Sequence, residues 1–220
     1  IRTKKFFKFQ NIYNKNFNEY ENRMISVAYK SSMMNSKRLW NILECSKDVL
    51  KNRIEGDFVE CGVFKGGGII LMSSIISKLK IKKKVWAYDT YAGMSKPDEN
   101  DKDYSNEDAM MHWKVFENND FNSWCYASLN DVKNNVHTAA KILDLNLENI
   151  LYVKGEVEKT LKNKNNIPEK ISILRLDTDF YNSTKIELET LYPKLSIGGY
   201  LIIDDFGYWK GSKKACLEYF

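Results

Sequence analysis

The spacing of apolar and polar positions changes character along the chain. The first 34 residues show no clear period. Phe6, Phe7, Phe9, Tyr13, Phe17 and Tyr20 stand in a polar background, and the segment reads as a helical arm, lid or interface. From Ser36 the period becomes helical, with Leu39, Ile42, Leu43, Val49 and Leu50 forming one apolar face. From Gly56 onward short apolar runs alternate with helical segments. Asp57–Cys61, Val85–Tyr88, Ile150–Val153, Ile171–Leu176 and Tyr200–Ile203 read as strands. Ile69–Leu79, Leu129–Leu145, Ser183–Leu195 and a last segment from about Ser212 read as helices. Ser128 suits the N-cap of the second of these, with Asp131 placed to complete a capping box. Gly198-Gly199 is expected to stop the third. Residues 90–125 form a long irregular stretch rich in Asp, Asn and aromatic residues. A loop that long in a compact domain is usually functional, and a mobile lid over a substrate is the expectation.

Strands alternating with helices predict an α/β fold, with a mostly parallel sheet flanked by helices on both faces. Residues 1–55 would form the N-terminal arm and residues 56–220 the domain proper. In such sheets ligands bind beyond the carboxyl ends of the strands. Those ends are where the polar groups gather. The first strand ends in Glu60 and a glycine-rich turn, the second in Asp89, the fourth in Asp177 and the fifth in Asp204-Asp205.

Composition narrows the partners. A length of 220 residues suits one domain with a sizeable core. The net charge of +5 comes from basic residues scattered among acidic ones. One short run, Lys80 to Lys84, precedes a strand and reads as a loop, so no nucleic-acid footprint is expected. Cys45, Cys61, Cys125 and Cys216 lack zinc spacing and suit free thiols in a reducing compartment. No apolar run is long enough to span a membrane and no secretory signal is visible, so a cytoplasmic location without membrane contact is expected. The chain begins at Ile1, so a preceding piece is expected. Neither histidine, His112 nor His137, is assigned a catalytic role.

The loop after the first strand, Glu60-Cys61-Gly62-Val63-Phe64-Lys65-Gly66-Gly67-Gly68, opens a helix. Its glycines allow a tight turn and a close ligand. A dinucleotide site would need Gly-x-Gly-x-x-Gly, but Phe64 holds the second glycine's place. Glu60 would repel a pyrophosphate, yet it suits a ligand carrying an amino acid and a sulfonium. Asp89 can accept hydrogen bonds from ribose hydroxyls. Together these residues favour S-adenosylmethionine (SAM).

Asp177-Thr178-Asp179 and Asp204-Asp205 end two strands. If those strands are neighbours about 5 Å apart, their carboxylates converge on one cation. A set of carboxylates without His or Cys fits a hard ion such as Mg²⁺. Repulsion among like charges argues for such an ion. Acceptor oxygens would be oriented there, and a neighbouring carboxylate could take the proton. Asp177 and Asp179 are the catalytic candidates. The same Asp177-x-Asp179 pair also supports a rival reading, a metal-dependent glycosyltransferase, which explains neither the Glu60 loop nor Asp204-Asp205.

Four stretches together resemble the macrocin (TylF-like) O-methyltransferase family of class I methyltransferases. They are residues 56–67, Asp89-Thr90-Tyr91-Ala92-Gly93, residues 174–184 with Arg175-Leu176-Asp177-Thr178-Asp179-Phe180-Tyr181-Asn182-Ser183-Thr184, and residues 191–207 with Gly198-Gly199 and Asp204-Asp205. The resemblance runs from about Asn35 to the end. It implies a Rossmann-like class I fold and SAM- and Mg²⁺-dependent methylation of a hydroxyl on a sugar or glycosylated small molecule. It also implies Asp177, Asp204 and Asp205 as metal ligands, with Asp177 as base. Glu60, Cys61, Gly62, Val63, Phe64, Asp89, Thr90 and Gly93 would lie along SAM, joined by Ser128, Gly155 and Glu156. Class I folds add a closing β-hairpin, so either the sequence continues past Phe220 or the sheet is completed differently. A homo-oligomer is compatible with this reading.

Overall fold

A computed structural model describes residues 13–220. Phe6, Phe7 and Phe9 lie outside the described residues. The elements run α1 (Glu19–Tyr29), α2 (Ser36–Lys51), β1 (Asp57–Cys61), α3 (Gly67–Lys78), β2 (Val85–Asp89), α4 (Ala109–Val115), α5 (Leu129–Leu143), β3 (Ile150–Lys154), α6 (Val157–Thr160), β4 (Ile171–Leu176), α7 (Tyr181–Thr190), β5 (Leu195–Ile203) and α8 (Lys210–Tyr219). The five strands form one sheet in the order β3-β2-β1-β4-β5, parallel throughout. This is the expected α/β architecture.

Alternation along the strands divides the core in two. Phe58, Val85, Ala87 and Ile173 face α1, α2, α3 and α5. Val59, Tyr88, Leu174 and Leu176 face α6, α7 and α8. The N-terminal helices therefore share a core with α3 rather than lying loosely on it. Phe17, Met24, Ile25 and Ala28 are buried there, while Tyr13 is exposed. The α5 N-terminus is the capping box read from sequence, with the Ser128 side chain on the Asp131 N–H and the reverse bond also present.

Two expectations change. Gly198-Gly199 does not stop a helix. The preceding helix ends at Thr190, a 3₁₀ turn through Pro193 follows, and β5 already starts at Leu195. The two glycines instead sit in an irregularity of this sheet edge, where pairing jumps from Ile171–Leu195 to Ile173–Tyr200. Pro193 lacks the N–H a helix would use, which explains the early stop. The stretch 90–125 is also more structured than expected. It contains α4, and isolated bridges join Lys102 to Asp108, Asp103 to Trp209 and Glu117 to Asn122. Aspartate side chains supply the partners a ladder would otherwise give. Asp101 accepts the N–H of Asp98 at 2.8 Å, and Asp103 accepts those of Ser105 and Glu107 at 2.8 and 2.9 Å.

Lys83, within the short basic run, donates to the carbonyl oxygens of Ile54 (2.6 Å) and Gly56, which is a structural use of its charge. Cys45, Cys61 and Cys216 are buried free thiols, and Cys125 is half-buried. Among the described residues no helix is long and apolar enough to cross a membrane.

Candidate active site

Ladder bonds continue one residue past the strands and hold the site's rim level. The N–H of Gly62 donates to Tyr88, that of Asp177 to Cys61, that of Asp204 to Leu176 and that of Gly155 to Asp89, each at 2.9 Å. Chain order reverses between β1 and β4, where doubly wound sheets open a crevice. A cleft of about 1030 Å³, counting space open to solvent, lies there.

The donor side of the cleft is built from the β1 loop. Gly62 has φ 83°, and a Cβ on it would stand 1.9 Å from the Asp177 carbonyl oxygen, so the approach of β1 to β4 requires glycine. Gly68 opens α3 against Glu60, and a Cβ there would meet Glu60 Oε1 at 1.9 Å. Asp89 fixes the loop: its Oδ2 accepts the N–H groups of Val63 (2.7 Å) and Phe64 (2.9 Å), and its Oδ1 accepts that of Tyr91 (2.7 Å). The sequence reading gave Asp89 a ligand; the structure adds this structural task.

Glu60, Gly62, Val63, Phe64, Asp89, Thr90 and Gly93 all line the cleft, as do Gly155 and Glu156. Two expected residues do not. The Cys61 side chain points to the opposite face of the sheet, into the core with Leu176 and Leu188, because alternation along β1 sends Glu60 and Cys61 to opposite sides. Ser128 borders a separate depression with Tyr91, Tyr126 and Lys133, its hydroxyl spent on the α5 cap.

The acceptor side holds the carboxylates. Asp177, Asp204 and Asp205 each offer a ligand atom, and these atoms lie within 4.8 Å of one another. Opposite oxygens around Mg²⁺ stand about 4.2 Å apart, given bonds of about 2.1 Å, so a small side-chain adjustment suffices. Asp179 sits beside them at φ 67°, with its N–H on Asp205 Oδ2 at 3.1 Å. Burial, followed by the charge of Asp177, pushes the Asp179 carboxyl up to about 7. Burial likewise raises Asp177 and Asp205 well above the ordinary range.

Sequence reasoning missed the countercharge. Arg175, 1% exposed, donates through Nη1 to Glu60 (2.7 Å) and Asp177 (2.8 Å), and its Nη2 lies 3.2 Å from Asp204. Glu60 and Arg175 are register partners on β1 and β4. Burial raises Glu60 to about 7, opposed by Arg175. Burial would strip Arg175 of its charge, but Asp177, Glu60 and Asp204 outweigh it. Carboxylate repulsion by itself therefore does not demand a metal, since the chain brings its own buried cation. Arg38 of α2 adds a second, 2.9 Å from Asp204. Still, the carboxyl groups of Glu60, Asp177, Asp179, Asp204 and Asp205 outnumber these two arginines, and a bound cation would favour the ionised form of those it touches. A lone Arg in the apolar run Ile171–Leu176 was the available signal for Arg175. Nothing in the sequence marked Arg38. Next to Asp179, Trp124, Phe180 and Trp209 form an aromatic cluster with centroids 5.5–6.1 Å apart.

Residues 7–220 match the family described as macrocin-O-methyltransferase (TylF). Demethyldecarbamoylnovobiocin O-methyltransferase of Streptomyces niveus is 34% identical over 195 residues, covering 87% of this chain and 68% of the relative. Mycinamicin III 3''-O-methyltransferase of Micromonospora griseorubida is 30% identical over 177 residues, covering 80% and 65%. The chain thus spans about two thirds of the length of these relatives. The solved structure of the O-methyltransferase NovP superposes with a TM-score of 0.73 at 33% identity, covering 86% of this chain and 73% of that one. CalS11, a calicheamicin methyltransferase, shares the fold with a TM-score of 0.60 at 15% identity, over 94% of this chain and 85% of its own. The glycosyltransferase reading falls with these matches. The chain belongs to the macrocin-O-methyltransferase (TylF) family, an enzyme family of O-methyltransferases whose membership implies SAM as methyl donor.

Proposed function

We propose that this chain transfers a methyl group from SAM to a hydroxyl of a sugar or glycosylated small molecule, with Mg²⁺ held by Asp177, Asp204 and Asp205. The carrying observation is the meeting of three carboxylate ligand atoms within 4.8 Å at the cleft that the glycine loop also lines. The donor set is all oxygen, which suits a hard divalent ion. When bound, such an ion supplies orientation of acceptor oxygens and a lower hydroxyl pKa.

The chain's own residues account for the rest. Glu60 and the Gly62–Phe64 loop hold the amino-acid end of the donor, and Asp89, Thr90 and Gly93 its nucleoside. Asp177 or Asp179 receives the acceptor proton. Asp179 is the better placed of the two, because it lines the cleft yet stands outside the metal set. Trp124 is half-buried and packs on the buried Phe180 and Trp209, and its ring would suit the apolar face of a sugar. Residues 90–125 form a lid over this acceptor end, and the N-terminal helices close the donor end through Ser32, Met33 and Met34.

The relatives' names support this acceptor class: one is a demethyldecarbamoylnovobiocin O-methyltransferase and another a mycinamicin III 3''-O-methyltransferase. Methyl transfer from labelled SAM to a panel of glycosylated natural products, with and without Mg²⁺, is the test. Turnover unaffected by EDTA would remove the metal, and no turnover on any glycoside would remove the acceptor class.

A further inference from the structure

We propose that Arg38 recognises the carboxylate on the amino-acid arm of the methyl donor. The proposal rests on the reading that the cleft takes SAM. That donor carries a zwitterionic amino acid, and its carboxylate must be paired once it leaves water. The cleft is a hostile place for an anion: Glu60, Asp89, Glu158, Asp177, Asp179 and Asp204 all line it. Among the described residues two cationic side chains do so as well, Arg38 and Arg175.

The two arginines differ in what they can still offer. Arg175 is fully buried, its Nη1 held by Glu60 and Asp177, while its Nη2 lies 3.2 Å from Asp204 without a hydrogen bond. The Arg38 side chain is 48% exposed, and its ion pair uses a single nitrogen, Nη1, on Asp204 Oδ2. A guanidinium has five N–H donors in a planar fork that matches a carboxylate with two parallel bonds. Arg38 therefore has donors to spare. If it swings away, Asp204 keeps Arg175 Nη2 at 3.2 Å, so releasing the first pair leaves no orphaned charge.

Position agrees with chemistry. Arg38 lies in the first turn of α2, where its own N–H is capped by Asn35 Oδ1 at 3.1 Å. The segment just before, Ser32 to Met34, lines the same cleft. Arg175 bridges Glu60 on one side and Asp204 on the other, and Arg38 lies on the Asp204 side. Glu60 and Arg38 thus offer opposite charges to the same cleft, on either side of Arg175, one for the donor's ammonium and one for its carboxylate.

The test compares two ligands by calorimetry: S-adenosylhomocysteine and its decarboxylated counterpart, S-adenosyl-3-thiopropylamine. The wild-type chain should bind the first roughly 10- to 100-fold more tightly, the span for a hydrogen bond between charged groups. Arg38→Gln should erase that preference by weakening S-adenosylhomocysteine while leaving the decarboxylated ligand within about twofold. Arg38→Lys should recover part of it. Equal weakening of both ligands would mean that Arg38 merely supports the fold, and unchanged binding of both would mean that it does not touch the donor. Either result overturns the proposal. A wild-type chain that binds neither ligand would overturn the SAM reading itself, a separate and recognisable failure.

Discussion

Replacing Arg175 by Met tests the charge balance at the centre of the molecule. The guanidinium is 1% exposed and within 3.2 Å of Glu60, Asp177 and Asp204. Met fills most of the space but leaves three carboxylates with no buried cation. Removing one partner of a buried ion pair costs about 3–5 kcal/mol, against a total domain stability of about 5–15 kcal/mol. For a chain of this length that lowers Tm by about 6–20 °C, at about 2–4 °C per kcal/mol. Two further measurements separate charge from packing. Adding Glu60→Gln to Arg175→Met should recover part of the loss, because Arg175 is the ion-pair partner of Glu60 among the described residues. Mg²⁺ should also raise the Tm of the single variant more than that of wild type, since an ion at Asp177 and Asp204 replaces the missing charge. Urea denaturation gives the energies and thermal melts the metal effect. A loss below about 1 kcal/mol, or a double variant no more stable than the single one, would refute the reasoning.

Other expectations concern separate links. Asp177→Asn should cut turnover by at least about a hundredfold while S-adenosylhomocysteine affinity stays within a few-fold, measured by single-turnover kinetics and calorimetry; near-normal turnover would leave the carboxylate structural. Gly68→Ala should destabilise despite alanine's better helix propensity, by roughly 1–3 kcal/mol, because its Cβ would stand 1.9 Å from Glu60 Oε1. Glu187 is fully buried with Oε1 unpaired, and burial raises its carboxyl well above the usual range. Its protonated form is the folded one, so the stability it allows is full below the unfolded value of about 4.3 and is lost as pH rises towards the folded value. Glu187→Gln should flatten that decline and be the more stable chain at pH 7, and denaturant titrations at pH 5 and 7.5 decide it. Amide exchange at 93–95 and 122–124 should slow when donor and acceptor bind; slow exchange untouched by either would remove the lid.

Much of the site was legible because it is encoded locally. Short apolar runs alternating with helical segments located the strands, and the residues at their ends, Asp89, Asp177 and Asp204, had to lie at one end of a parallel sheet. The Ser128 cap was equally local, read from a hydroxyl three residues before a carboxylate. What failed was whatever depended on more than one neighbourhood. Gly198-Gly199 looked like a helix stop, yet Pro193 had already ended the helix, and the glycines serve an edge-strand irregularity. Cys61 belongs to the loop by sequence, but strand alternation turns it into the opposite core. Ser128 follows the cofactor-side loops in order, but α5 carries it outside the cleft.

The countercharges show the limit most clearly. That Arg175 and Asp177 share a face of β4 follows from their spacing alone. That Arg175 meets Glu60, 115 residues earlier, follows from the adjacency and register of β1 and β4. That Arg38 meets Asp204 follows from how α2 packs across the sheet. The sequence by itself determined which groups stand at the strand ends, because backbone periodicity and turn chemistry act over a few residues. Which of those charges touch, only the tertiary structure decided. Electrostatic pairing depends on distances through space, and those are set by strand order, register and helix packing across the whole chain.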